Sequence, residues 1–270
     1  MYQPAVIIVS VADIYKDHTF TSEVVTQAFM FEEVTILDTH NNWSRVEQWD
    51  GYKGWINNFH ISLFLDQKVA NLWVDLKKNQ SQIDSLEQQH IGKKSTTPFS
   101  SKFQKVPFGA FDYHYNHQYL DKPVYEYEDE CEDIIRLQIL HDLNQLDGVP
   151  YKWGGKSSFG FDCSGLVQTV FKAQGILMPR DSKDQYELVK NNKIISLHSA
   201  AGSGDLIFFE ENDKICHVGI YDKNLKFIHC SGMVKYNSLD KEDELFDRKL
   251  MDKFVGVFSI SEIIKEQLNE

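Results

Sequence analysis

The chain has 270 residues, which is enough for two ordinary domains that each bury a core. Its formal net charge of -12 disfavours binding to nucleic acids or anionic membranes, because both reward basic patches. The 4 cysteines include no C-x-x-C pair, so neither a zinc site nor a disulfide framework is indicated. We therefore expect reduced thiols, the absence of any metal, and a cytoplasmic protein.

The first apolar stretch, residues 5–11, is too short and wrongly flanked for an export signal. Neither Lys nor Arg precedes it, and Asp13 follows closely. We interpret it as a β-strand, and we predict no transmembrane segment elsewhere in the chain.

Residues 1–62 alternate short β-type segments with turn-forming residues, a pattern typical of a small barrel. The predicted strands cover residues 6–9, 24–28, 33–37, 43–48 and 54–56. The runs NWSRV at 42–46 and DGYKGWI at 50–56 resemble the bacterial SH3 family found beside cell-wall enzymes. Such a barrel either binds a peptide or packs against its neighbour, and the sequence leaves both open.

Residues 63–130 are predicted to form a linker or interdomain arm, with a second, degenerate SH3-like unit as an alternative. A few turns of helical spacing are followed by polar residues and then by an aromatic cluster at 103–119. The aromatics are expected to pack across both domains, or one tyrosine among them lines a substrate pocket.

Residues 131–270 are predicted to form the third segment, a catalytic domain organised around Cys163. A helix is predicted at 132–146, and a glycine-rich loop at 154–165 then leads into a second helix that ends near Gly175. Asp162 is the expected N-cap, so Cys163 opens the helix, where unpaired N–H groups and the helix dipole favour a thiolate. A further short helix is predicted to open at Asp181 or Ser182, followed by strands at 205–209, 216–221, 226–230 and 255–259.

A cysteine nucleophile needs a base and a group that orients the base, and His217 and His229 are the candidates. They lie on consecutive predicted strands. If a three-residue loop ends at Asn224, paired residue numbers sum to 446, and the two histidines are direct cross-strand neighbours on one face. Cys216 and Cys230 would then point to the opposite face as small core residues, while Cys131 has no base in view.

The motifs in this region, taken in order, resemble the NlpC/P60 peptidases. They are YKWGG at 151–155, FDCSGL at 161–166, PRDS at 179–182 with Gln185, GDLIFF at 204–209, HVGIY at 217–221 and FIH at 227–229. The resemblance covers roughly residues 131–260 and implies a papain-like α+β fold. It also implies Cys163 as nucleophile, His217 as base and His229 as the residue that orients it.

Members of this family with bacterial SH3 domains in front resemble enzymes that cleave murein stem peptides between D-γ-glutamate and the diamino acid, in recycling or remodelling. The resemblance implies that Asp181 and Ser182 help bind the N-terminal L-alanine and that no cofactor is required. Asp162, Ser164, Tyr151 and Trp153 are further predicted substrate contacts. Tyr151 either donates a hydrogen bond to the oxyanion or is a packing residue. A monomer is expected.

Two alternatives remain open from the sequence. One is a cysteine amidase or acyltransferase that acts on a different amide, because a triad does not name its substrate. The other is a non-catalytic protein that binds peptides through its SH3-like barrel.

Overall fold

The computed structural model describes residues 3–30, 32–63, 128–192 and 201–268. Its contacts divide the chain into two units, residues 1–23 with 28–111 and residues 24–27 with 112–270. The predicted arm at 63–130, with its aromatic cluster, lies almost wholly outside the described residues. The predicted boundaries at 62 and 130 therefore stay predictions.

The N-terminal part is a seven-stranded sheet in the order β3-β2-β6-β5-β4-β1-β7. Its strands are β1 Gln3–Ile7, β2 Val11–Tyr15, β3 Val24–Phe29, β4 Glu33–His40, β5 Trp43–Glu47, β6 Lys53–Asn57 and β7 Ile61–Leu63. A 3-10 turn, Asn58–His60, precedes β7. Each of the five predicted strands overlaps an observed strand, although the first ends at Ile7 and not at residue 9. The sequence pattern missed β2 and β7, which are short and carry polar residues such as Asp13.

The C-terminal part is α+β, as predicted. Its five-stranded antiparallel sheet runs in the order β13-β12-β11-β10-β14. The strands are β10 Leu206–Glu211, β11 Lys214–Tyr221, β12 Lys226–Ser231, β13 Met233–Ser238 and β14 Phe254–Phe258, and a small hairpin joins β8 Lys156–Ser157 to β9 Gly160–Phe161. The helices are α1 Glu128–Gln145, α2 Cys163–Ala173, α3 Ser182–Val189, α4 Arg248–Met251 and α5 Ser261–Leu268. None of the helices in these described ranges is both long and apolar enough to cross a bilayer.

The core of this domain lies between helix α2 and one face of the sheet. Leu166, Val167 and Val170 of α2 are buried with Val218 and Ile220 of β11. A smaller apolar cluster covers the other face and includes Phe209, Tyr221 and Phe227. Because side chains alternate along a strand, the residues next to Val218 and Ile228 point away from α2. His217 and His229 therefore lie on the second face, where their rings contact Phe209 and Phe227.

The predicted pairing of the two histidine strands is wrong by two residues. Gly219 pairs with His229 and Tyr221 with Phe227, so paired numbers sum to 448. The turn is longer than expected, and both Asn224 and Leu225 have left-handed backbone angles, with φ of 60° and 61°. A shift of two keeps each side chain on its face, so the histidines still share one face as diagonal neighbours.

The prediction for Cys216 is also wrong, whereas that for Cys230 is confirmed. Cys230 is fully buried, and its thiol donates to the carbonyl of Phe161 at 3.1 Å. Cys216 is exposed. Phe209 pairs with His217 and Glu210 with Ile215, so Cys216 is the extra residue of a β-bulge. The bulge interrupts the alternation of faces on which the prediction rested.

Candidate active site

The glycine-rich loop packs directly on the first turn of α2. A Cβ atom at Gly165 would lie 2.1 Å from the carbonyl oxygen of Gly155, and one at Gly155 would lie 2.2 Å from the carbonyl oxygen of Gly160. Neither position has room for a side chain. The close approach holds Cys163 at the junction between the loop and the helix.

Asp162 is the N-cap of α2, as predicted, and it also anchors the loop. Its Oδ1 accepts from the backbone N–H of Gly165 at 2.6 Å, and its Oδ2 accepts from that of Gly154 at 2.9 Å. Arg180 donates to both oxygens, at 3.0 and 2.5 Å. Asp162 is therefore occupied inside the protein, and its role in binding substrate stays a prediction.

Arg180 and Gln185 connect the predicted PRDS turn to the start of the cysteine helix. Arg180 donates to the hydroxyl of Ser164 at 3.0 Å, and the side chain of Gln185 donates to the carbonyls of Ser164 and Pro179 at 3.0 and 2.8 Å. All three side chains are buried. The sequence marked Asp181 and Ser182 of this motif for substrate contact, and their neighbours Arg180 and Gln185 hold the start of α2.

Cys163 is buried next to strand β11. The backbone N–H groups of Val218 and Ser164 lie near enough to the thiol to lower its pKa. Burial raises the pKa of this thiol to about 11, with a further increase from the charge of Asp162. The two amide hydrogen bonds and Arg180 lower the pKa, but they do not offset burial. The helix start favours a thiolate, as expected, but burial of Cys163 opposes this effect and raises the pKa of the thiol more strongly.

His217 and His229 are hydrogen-bonded to each other, Nε2 to Nδ1, at 2.6 Å. Burial lowers the pKa of His217 to about 3, and the charges of His229, Lys235 and Lys253 lower it further. Burial likewise lowers the pKa of His229 to about 4. At neutral pH both imidazoles are uncharged, and so is the thiol. The neutral imidazole is the form that can accept a proton.

Asn237 is a polar partner of this pair that the sequence reasoning missed. Its Oδ1 lies 2.8 Å from Nε2 of His229, and its Nδ2 donates to the carbonyl of Leu245 at 2.6 Å. The residue lies on β13, a strand that was not predicted. The alternation of VKYNS at 234–238 was the one available signal for it.

The remaining predicted site residues lie at different positions around this centre. Tyr151 is partly buried, and burial together with the charge of Cys163 raises the pKa of its hydroxyl, which is a proton donor at neutral pH. Trp153 is 62% exposed at the start of the loop. Asp181 is the N-cap of α3 and Ser182 its first residue, and both are partly exposed. Tyr151 is near enough to Cys163 to respond to its charge, and the roles of all four residues stay predictions.

A helix-start cysteine beside a strand that carries a buried histidine pair is the arrangement of a papain-like cysteine hydrolase. Residues 148–251 match the model of the NlpC/P60 family, and residues 10–62 match the bacterial SH3 domain. The chain thus contains an NlpC/P60 domain preceded by a bacterial SH3 domain.

Similar proteins carry related names. A gamma-D-glutamyl-L-lysine dipeptidyl-peptidase from Bacillus subtilis is 39% identical over 110 residues, which is 40% of this chain and 34% of the relative. Dipeptidyl-peptidase 6 from Lysinibacillus sphaericus is 24% identical over 95% of this chain and 99% of the relative. A solved NlpC/P60 family protein from Bacillus cereus is 18% identical over 94% of this chain and 62% of its own, with a TM-score of 0.39. The chain spans about a third of the length of the Bacillus subtilis relative.

Proposed function

We propose that the protein is a cysteine endopeptidase that hydrolyses the bond between D-γ-glutamate and the diamino acid, diaminopimelate or lysine, in murein stem peptides. One observation carries the proposal. Cys163 opens α2, which packs on β11, and the backbone N–H of Val218, the residue after His217, is near enough to the thiol to lower its pKa. His217 is in turn hydrogen-bonded to His229.

In this proposal His217 takes the thiol proton as Cys163 attacks the D-γ-glutamyl carbonyl carbon. The tetrahedral intermediate collapses, the C–N bond breaks, and the imidazolium gives its proton to the departing amine. Water then attacks the thioester with His217 as base, which releases the γ-glutamyl acid and restores the thiol. His229 orients His217 and spreads the positive charge that forms during each step.

The oxyanion needs hydrogen-bond donors, and two are close to Cys163. One is the backbone N–H of Cys163 itself, which lies at the start of α2 and is not used inside that helix. The other is the hydroxyl of Tyr151, which stays protonated because its pKa is raised. Loss of one such donor commonly costs about 10²–10³ in kcat, so Tyr151→Phe tests this assignment.

The charges around the histidines favour an acidic substrate although the whole chain is acidic. Lys235 acts on both histidines, and it is paired across the sheet with His229, so their side chains share a face. Lys253 adds a second positive charge at His217. Stem peptides carry free carboxylates on both sides of the proposed scissile bond. We propose that Lys235 attracts one of them.

The names of the relatives support the proposal that the bond after D-γ-glutamate is the one cleaved. The Bacillus subtilis relative is a gamma-D-glutamyl-L-lysine dipeptidyl-peptidase, and a dipeptidyl-peptidase removes two residues from a free amino terminus. Asp181 and Ser182 are proposed to bind that amine, with Trp153 as an apolar contact. Recycling of murein peptides in the cytoplasm by a monomer is the corresponding role, and cell fractionation and light scattering test the location and the oligomeric state.

Mass spectrometry of reaction products tests the proposal. The substrates are L-Ala-γ-D-Glu-diaminopimelate, its lysine analogue, and the same peptides blocked at the amine by muramic acid. Release of L-Ala-γ-D-Glu is expected from the free peptides only. Cys163→Ala should abolish turnover, whereas Cys216→Ala, which removes an exposed thiol, should not. Cleavage of blocked peptides would favour remodelling, and no cleavage of any of them would contradict the substrate.

A further inference from the structure

The histidine pair is the middle of a longer chain of hydrogen bonds. Starting from the loop after β13, the chain runs from the carbonyl of Leu245 to Asn237, from Asn237 to His229, and from His229 to His217. The three distances are 2.6, 2.8 and 2.6 Å. The direction of each bond follows from the chemistry of its two ends.

The direction is set at Leu245, because a backbone carbonyl can only accept. The group of Asn237 that faces it must be the NH₂, so Oδ1 is the end that faces His229. Oδ1 can also only accept. His229 must therefore carry its proton on Nε2.

The protonated nitrogen of His217 follows from that of His229. A neutral imidazole has one N–H, so His229 with its proton on Nε2 has an unprotonated Nδ1. That Nδ1 accepts from Nε2 of His217. His217 then has its own proton on Nε2, and its lone pair is on Nδ1.

We propose that Asn237 and the Leu245 carbonyl form a positioning pair that fixes the tautomers of both histidines and makes Nδ1 of His217 the nitrogen that receives the Cys163 proton. The inference deepens the proposed function and depends on it for its catalytic part. Without the pair, His229 could carry its proton on either nitrogen, and a fraction of the protein would present His217 with Nδ1 already protonated.

The carbonyl at the end of the chain is itself held in place. Leu245 accepts a second hydrogen bond from the backbone N–H of Ser238 at 3.1 Å, and its own N–H donates to Asp243 at 2.9 Å. Asp243 forms an ion pair with Lys226 at 3.2 Å. The loop is thereby fastened to β12 and β13, and the acceptor that sets the direction cannot turn away without breaking these bonds.

Three charged side chains near His217 and His229 also shift the pKa values of the two histidines and so affect the pH profile. Lys235, paired with His229 from β13, and Lys253, before β14, both disfavour a charged His217. Asp247, just before α4, favours a charged His229, as does the bond to Asn237. A carboxylate at position 237 would add to the effect of Asp247.

Steady-state kinetics of three variants test the catalytic part. Asn237→Ala is expected to lower kcat by about 10–100-fold with little change in KM, the size typical of losing a partner that orients a histidine. Asn237→Asp keeps an acceptor for His229 but loses the donor to the Leu245 carbonyl, so it should recover part of kcat and move the acid limb of the pH profile to higher pH. Asn144→Ala, the same change at an exposed position of α1, is the matched control and should stay near wild type.

Nitrogen-15 NMR of labelled wild-type protein tests the tautomers without any variant. We expect the proton on Nε2 in both histidines. Detection of His229 protonated on Nδ1 would overturn the inference, and so would Asn237→Ala with the kcat of Asn144→Ala. If no murein peptide is cleaved, the proposed function fails, but the NMR measurement still decides the hydrogen-bond direction.

Discussion

Arg180 donates to both carboxylate oxygens of Asp162, and the two side chains form a buried ion pair. Asp162 precedes the proposed nucleophile directly, so this pair decides where Cys163 lies. A buried charge without its partner is costly because it is removed from water.

We expect Arg180→Met to destabilise the protein by about 3–5 kcal/mol, the usual result of removing one partner of a buried ion pair. Urea unfolding at neutral pH measures the change. Lys190→Met, which removes an exposed ion pair with Glu187, is the matched control and should leave the unfolding midpoint unchanged. An Arg180→Met protein as stable as this control would show that the ion pair does not hold the loop.

The protonation of Cys163 predicts how its alkylation depends on pH. Because burial raises the pKa of the thiol to about 11, the rate of reaction with iodoacetamide should keep rising as the pH is raised from 7 to 10. Peptide mass spectrometry separates Cys163 from the exposed Cys216. A rate that reaches a plateau below pH 7 would instead show a preformed thiolate, the state that the helix start favours.

The two histidines predict a loss of stability in mild acid. Their pKa values fall from the ordinary 6.5 to about 3 and about 4, so the unfolded chain binds protons that the folded protein does not. The free energy of unfolding should therefore decrease as the pH falls from about 6.5 to about 4. Burial raises the pKa of Asp205, so this carboxylate also contributes to the pH dependence of stability.

The contribution of the histidines is isolated by comparing the wild type with a His217→Gln and His229→Gln double variant. Urea midpoints measured at several pH values should decrease less steeply in the variant. Equal slopes would mean that the histidines are not held uncharged in the folded protein. Lys235, Lys253 and Asp247 remain in both proteins, so their charges cancel in the comparison.

Lys235 predicts a preference for a carboxylate on the substrate. Lys235→Met should raise KM by about fivefold, which corresponds to about 1 kcal/mol for a partly exposed ion pair. The change should disappear with a substrate whose D-glutamate α-carboxylate is replaced by an amide. Lys214→Met, at the exposed start of β11, is the control. An equal rise in KM for both substrates would contradict a specific contact.

The ends of α2 and the faces of β11 and β12 could be predicted from the sequence, because capping residues and side-chain alternation determine them locally. Asp162 before an apolar helical pattern and Gly175 after it set the ends of α2, and Gly175 has the left-handed φ of 82° that such a stop requires. Alternation in β11 and β12 placed His217 and His229 on one face. These signals act within a few residues, so no tertiary information was needed.

The register of the histidine hairpin could not be predicted because two turn geometries fit the same residues. A shift of two preserves the pattern of faces, and only the left-handed angles of both Asn224 and Leu225 separate the alternatives. The bulge at Cys216 was hidden for a similar reason. It depends on how β10 pairs with β11, which is a contact between strands and not a property of either one.

The sequence by itself determined which residues are brought to the proposed site: Cys163 at a helix start, and two histidines on neighbouring strands of one sheet. Only the tertiary structure decided their protonation and their support. Burial between α2 and the sheet outweighs the effect of the helix start on Cys163, and Asn237 reaches His229 from a strand that the sequence pattern did not reveal. Both depend on packing between distant segments, since desolvation and hydrogen-bond direction arise only when those segments meet.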